Sequence, residues 1–155
     1  VICNLTRLDA VTISHHLRAK DRQEVLASTA LASIEAWANA VYAQSQVSGC
    51  VRDLDGPVAM GGAVIFPQGH MASTWFVATP RVTEPKMAIQ SHRMALQLHH
   101  DLEGRGVKRC MAWVMESYKS SCRWLERLGY QREGRHQCWG IAGETFLSYA
   151  RLAGG

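Results

Sequence analysis

Where the apolar run Val107–Met115 ends, the sequence continues Glu116-Ser117-Tyr118-Lys119. This sets a carboxylate and a phenol at the exit of a predicted strand, the one able to take a proton and the other to give one. A second concentration of charge, Arg81-Val82-Thr83-Glu84-Pro85-Lys86, immediately precedes a predicted long helix. Its arginine and lysine can attract an anion, whereas Glu84 opposes one and Pro85 has no N–H to offer. The other reactive side chains form no constellation. His92 and His99 fall on a helix face expected to be solvated and lack the i, i+4 spacing of a metal pair. The cysteines are odd in number, widely spaced and without a C-x-x-C pair, so no disulfide framework or zinc site is indicated and a reducing compartment is expected. Cys110 lies inside the predicted buried strand, where a thiol behaves as a small hydrophobe. Trp75, Trp113, Trp124 and Trp139 are expected to be core or interface anchors.

The elements that must position these groups can be read from periodicity. Val107–Met115 is apolar on both parities, as suits a strand covered on both faces. In the helix that follows, Cys122, Leu125 and Leu128 share a stripe and Gly129 supplies the stop. From Pro85 to about Leu102 runs the longest helix, with Met87, Met94, Ala95, Leu98 and Leu102 on one face. Val47–Leu54 and Pro57–Phe66 flank Asp55-Gly56 and predict a β-hairpin, with Gly61-Gly62 marking a bulge or a close backbone approach. A further strand is predicted at Ser73–Thr79 and a closing one at Thr145–Leu152. Nearer the start, Val11-Thr12-Ile13 reads as a first strand, followed by a helix in which Asp21 and Glu24 are assigned to capping and solvation. Thr29 is the predicted cap of a second helix with the stripe Leu31, Ile34, Ala38, Val41, at whose edge Trp37 and Tyr42 could line a cleft.

With 155 residues and 47% apolar content, a single globular domain over residues 1–155 is expected. No stretch resembles a signal peptide or a membrane span. The formal charge of +4 favours acidic partners, but no basic run or RNA-binding signature accompanies it, so nucleic acid is not the expected partner.

Ser120 to Tyr130, with its helix closing on Leu128-Gly129-Tyr130, resembles the second conserved motif of the GNAT acyltransferase superfamily. A longer likeness takes in Trp75-Phe76-Val77, the basic helix, Arg123-Trp124-Leu125-Glu126-Arg127-Leu128-Gly129 and a final strand near Phe146. In this the chain resembles the GNAT-like internal virion protein A family of T7-type phages. The resemblance implies an α/β (α+β) fold, a mixed sheet of six or seven strands with about four helices, in which Ser73–Thr79 and Val107–Met115 are adjacent and parallel. It also implies an acetyl-CoA site at the start of the long helix, where an Arg/Gln-x-x-Gly-x-Gly/Ala loop brings backbone N–H groups to the pyrophosphate. Both glycines are lost from Arg81–Lys86, so Val77, Thr79, Arg81 and Lys86 would be a vestigial cofactor site. The family's thiolate-protonating tyrosine falls on Leu125 and its asparagine on Tyr118, which leaves Tyr118 and Glu116 as the catalytic candidates. These departures set the expectation of a phage virion or virion-assembly component with no cofactor. Its partners would be other virion proteins or further copies of itself, in the virion or in the cytoplasm of the infected bacterial host. The alternative is an acyl-CoA-dependent N-acetyltransferase with an atypical phosphate loop, using acetyl-CoA.

Overall fold

The computed structural model describes residues 1–154. The chain order is β1 (Ile2–Cys3), α1 (Arg7–Ser14), α2 (Ala19–Ser28), α3 (Ile34–Gln44), β2 (Val47–Asp53), β3 (Gly56–Ile65), β4 (Met71–Ala78), a 3-10 turn (Pro80–Thr83), α4 (Pro85–Gly104), β5 (Arg109–Met115), α5 (Lys119–Arg127), β6 (Gln131–His136) and β7 (Phe146–Leu152). The strands form a seven-stranded sheet of order β1-β2-β3-β4-β5-β7-β6. Every neighbouring pair is antiparallel except β4 and β5, which are parallel and joined through α4. The expected mixed sheet and its adjacent parallel pair are present, with five helices where about four were anticipated. No helix among the described residues is long and apolar enough to cross a membrane.

Two local expectations are corrected near the start of the chain. Val11-Thr12-Ile13 is helical, not a strand, because the segment before it supplies a complete cap. Thr6 Oγ1 accepts the Asp9 N–H at 3.1 Å, and the Asp9 carboxylate takes the Thr6 N–H and hydroxyl. Asp9 also receives Arg52 of β2 at 2.7 Å, which fixes α1 against the sheet and outweighs the strand preference of a short β-branched run. Helix α3 is capped by Ser33, whose hydroxyl accepts the Ala36 N–H at 3.0 Å, and not by Thr29. Ile34 and Ala38 turn inward as expected, while Leu31 lies outside the helix and is exposed.

The hairpin β2–β3 turns at Leu54-Asp55, one position before the expected Asp55-Gly56, and Gly56 opens β3 with a φ of 116° that suits only glycine. At Gly62 the backbone approach is close: an added Cβ would stand 2.7 Å from the Val47 carbonyl and 2.9 Å from the Trp75 ring. The register shift itself falls at Val51/Arg52.

Alternation along β4 sends Trp75 and Val77 to the face covered by α1–α3, and Phe76 and Ala78 to the face covered by α4. α5 packs beside α4, since Ala95 and Leu102 share a core with Leu125 and Leu128. Strands β4 and β5 pair only at Met71↔Arg109, Ala72↔Cys110 and Ser73↔Met111, then separate, although each stays paired with its other neighbour. A side-chain wedge sits where they part. Thr74 Oγ1 lies 3.1 Å from the Met111 carbonyl and 2.9 Å from the Tyr130 hydroxyl, which in turn is 2.7 Å from His99 Nε2. His99 Nδ1 reaches the Ala95 carbonyl at 2.7 Å. The expectation of a solvated His99 is thus overturned: it is 5% exposed. Burial, with Arg151 nearby, lowers its pKa to about 4. The neutral ring donates from Nδ1 to Ala95 and accepts the Tyr130 O–H at Nε2.

Candidate functional site

The parting of β4 from β5 opens the sheet. Because the facing edges of the two strands have no strand partner beyond this point, the peptide groups on the free edge of β4 must find others. Those of Ala78 are taken by α2: its N–H donates to Asp21 Oδ2 at 2.9 Å and its carbonyl accepts the Arg18 N–H at 2.9 Å. The same alternation turns the peptide groups of Thr74 and Phe76 to that edge. Between the strands lies a cavity of about 330 Å³ lined by residues from both faces of the sheet. Glu24 and Ser28 of α2, Trp37 of α3 and Trp75 line one side, and Leu98 and His99 of α4 with Trp124 of α5 line the other. A second cavity of about 540 Å³ runs between α4 and α5 and carries Arg18, His92, Arg93 and Arg127. The two share Phe76, Ser121 and Trp124, and the rings of Phe76 and Trp124 meet there with centroids 4.5 Å apart.

Helix α2 builds the ionisable part of the site. Arg18 forks onto Asp21 (Nε–Oδ2 2.9 Å, Nη2–Oδ1 3.2 Å) and lies over the Tyr118 ring, whose hydroxyl donates to Asp21 Oδ1 at 2.7 Å. Asp21 therefore ties the head of α2 to the end of β4 and the start of α5. One turn later Glu24 points into the slot and accepts the Met115 N–H at 2.9 Å. Burial raises its carboxyl to about 7, against the Met115 hydrogen bond, which favours the anion, and with Asp21 adding to the rise. A carboxyl balanced near neutrality beside a cavity is suited to accept a proton. The sequence reading assigned Asp21 and Glu24 to solvated capping. A usable signal was there: Asp21, Glu24, Val25 and Ser28 share one helical face, so the face that buries Val25 also carries the acids inward.

The residues singled out from sequence scatter around this slot. Tyr118 is buried and its hydroxyl is committed to Asp21; burial and that carboxylate push its phenol far above the usual range. Glu116 pairs with Arg135, 3.1 Å between Oε1 and Nη2, which holds its carboxyl below the usual range, and it lines neither cavity. Val77 lines the slot. Thr79 is buried with an unpartnered hydroxyl. Arg81 turns to Asp53, Asp55 and Glu84 instead of the groove. Lys86 is exposed in the first turn of α4. The sequence reading missed Ser91 and Ser121: the Ser91 hydroxyl, on a residue 2% exposed, has no partner among the described residues and borders the α4–α5 groove.

That groove suits an elongated anionic ligand. Its arginines supply charge, neither α4 nor α5 has a side-chain cap or an acid in its first turn, and Ser91 presents a hydroxyl that nothing among the described residues satisfies. Glu84, expected to oppose a phosphate, lies with its carboxylate 3.5 Å from Arg81 Nε.

No protein-family model matches the sequence, and no curated protein matches it. Solved structures match the fold across nearly the whole chain. A ribosomal-protein-alanine N-acetyltransferase from Brucella melitensis is 11% identical with a TM-score of 0.76, over 98% of this chain and 99% of that one. An acetyltransferase (GNAT family) from Bacillus anthracis is 16% identical with a TM-score of 0.70, over 97% and 93%. The yncA protein from Salmonella typhimurium, solved with its cofactor acetyl-CoA, is 10% identical with a TM-score of 0.75, over 100% and 94%. The chain has the GNAT fold. These neighbours overturn the expectation of a virion or virion-assembly component, the phage descriptors that went with it, and the expected lack of a cofactor. The physical reason is local: that expectation rested on the Arg81–Lys86 loop, whereas the cations that border the groove come from α4, α5 and Arg18.

Proposed function

We propose that this chain is an acyl-CoA-dependent N-acyltransferase that uses acetyl-CoA, with Glu24 as the base that deprotonates the acceptor amine. The observation that carries the reading is the slot between β4 and β5, which joins a carboxyl balanced near neutrality on one face to a cationic groove with an orphaned buried hydroxyl on the other. Arg93, Arg127 and His92 are the residues that would hold the phosphates, with Ser91 contributing its hydroxyl, and the free edge of β4 at Thr74 and Phe76 would hold the amide-bearing arm. Acetyl-CoA held there would supply an activated acetyl group, the amine nitrogen taking the place of the thiol.

Each remaining role belongs to the chain. An ammonium cannot attack, so Glu24 first accepts its proton and later returns it to solvent. Ser121 stands one turn before Leu125, the family's tyrosine position, at the junction of the two cavities, where a hydroxyl can hydrogen-bond the departing sulfur. Tyr118 holds Asp21 and positions α2. The test is incubation with acetyl-CoA and a panel of amines, reading free thiol and acetylated amine by mass. Turnover should appear, and Glu24→Gln should lower it by about a hundredfold or more. Turnover unchanged in Glu24→Gln removes Glu24 from the chemistry, and no transfer to any amine removes the reading.

A further inference from the structure

The α1–α3 side of the slot has a composition that the acyltransferase reading does not require. Trp37 meets Trp75 edge-on, 5.8 Å between centroids at 83°, and Trp113 stacks on Trp139 at 4.3 Å and 2°; all border the cavity. Trp75 is held by its indole N–H, which donates to Ser45 Oγ at 2.8 Å. The stacked pair stands at the rim, Trp113 being 38% and Trp139 51% exposed. Two indoles stacked in water form an apolar and π-rich platform that a ligand would cover. Trp139 comes from the loop between β6 and β7, which is pinned across to α2 by the Ile141 N–H donating to the Ala27 carbonyl at 2.9 Å. The pinned loop narrows the opening to a cavity of about 330 Å³, a small-molecule size and not a channel for an extended peptide.

Charge narrows the occupant further. Among the described residues that line this cavity, Glu24 is the carboxylate, and there is no lysine or arginine. An acceptor with a carboxylate or phosphate would be desolvated here without a counter-charge. A polyamine would bring in more ammonium groups than one carboxylate can pair. A single ammonium on an apolar or aromatic body meets both halves of the surface, its charge at Glu24 and its body between the indoles. Resting on the acyltransferase reading, we propose that the acceptor is a small arylalkyl primary amine with one positive charge and no anionic group.

The probes are 2-phenylethylamine, phenylalanine, spermidine and a short peptide with a free N-terminus. They are offered to the intact protein with acetyl-CoA, and separately without it while tryptophan fluorescence is followed. 2-Phenylethylamine should be acetylated with a kcat/KM at least about a hundredfold above that of phenylalanine, which differs by the buried carboxylate alone. It should also quench tryptophan emission saturably without cofactor. Trp139→Ala should raise its KM about tenfold and leave kcat near its starting value, and Trp139→Phe should restore most of the loss. Preference for phenylalanine, spermidine or the peptide overturns the inference while leaving the acyltransferase intact. Saturable quenching by 2-phenylethylamine, lost in Trp139→Ala but with no acetyl transfer, upholds the amine site and sinks the acyltransferase. The absence of both quenching and transfer overturns the inference.

Discussion

Replacing Glu24 with glutamine should stabilise the protein at neutral pH while disabling it. In the unfolded chain this carboxyl ionises near 4.5, and in the folded chain at about 7. Between those values the native state binds more protons than the unfolded state, so stability falls as pH rises through the window and stays low above it. A rise from 4.5 to about 7 corresponds to about 3 kcal/mol at most, and partial exposure of the carboxyl reduces this to about 2 kcal/mol. Glutamine keeps an oxygen for the Met115 N–H but carries no charge to desolvate. Urea denaturation should therefore find Glu24→Gln about 2 kcal/mol more stable than the unaltered protein at about pH 8, and equal to it at about pH 4.5. In thermal melts the gain at the higher pH should be roughly 4 to 8 °C. His99 also titrates in the acid range, but it is present in both proteins and cancels in the difference. A variant less stable at the higher pH, or a difference that does not change with pH, would refute the claim that Glu24 is charged at a desolvation cost. Gain of stability with loss of transfer is the pattern expected where a functional group is held in an unfavourable environment.

Tyr130→Phe removes the hydroxyl shared by His99 and Thr74 and should cost about 1 to 3 kcal/mol in urea, because it leaves His99 Nε2 buried and unpaired. The His99 contribution is fully present above its ordinary 6.5 and is lost as pH falls toward about 4, since the unfolded chain binds the proton that the folded ring refuses; in the unaltered protein Glu24 opposes this slope, so it should emerge in pH-dependent melts of Glu24→Gln. Gly62→Ala places a methyl group against the Val47 carbonyl and the Trp75 ring and should destabilise by about 1 to 3 kcal/mol, read by the denaturation midpoint. Trp124→Ala opens the contact with Phe76 where the two cavities meet, and should shift kcat/KM toward butyryl-CoA over acetyl-CoA by about tenfold. Glu116→Gln should leave transfer within about twofold, because that carboxylate is held by Arg135 outside both cavities.

Much of the fold is written in local pattern. The unit from β4 through α4 and β5 to α5 is legible because each helix has a single apolar stripe and a glycine stop, at Gly106 and Gly129, both with φ of 88°. The start of the chain reads less well, because the Val11-Thr12-Ile13 run argues for a strand while the cap from Thr6 and Asp9, closed by Arg52 far along the chain, decides for a helix. The site is harder still. Glu24 receives its hydrogen bond from Met115, ninety-one positions away, and no neighbouring residue announces that contact. His99 looked like half of a solvated pair, and only the placement of Tyr130 and Thr74 around it shows why a histidine is buried there. Arg81 was assigned to a vestigial cofactor site, but it pairs with Asp53 and Asp55 around the β2–β3 turn, which sequence spacing does not bring near it.

The central claim, that the parted strands and the α4–α5 groove bind an acyl-CoA, is tested most directly by following backbone amide signals of the intact protein during titration with acetyl-CoA. The account predicts saturable shifts centred on Thr74, Phe76, Ser91 and Ser121, weakened when Arg93 and Arg127 are both changed to glutamine. An absence of saturable shifts at millimolar acetyl-CoA, or shifts confined to the outer face of α1 and α3 around Arg7 and Tyr42, would contradict it.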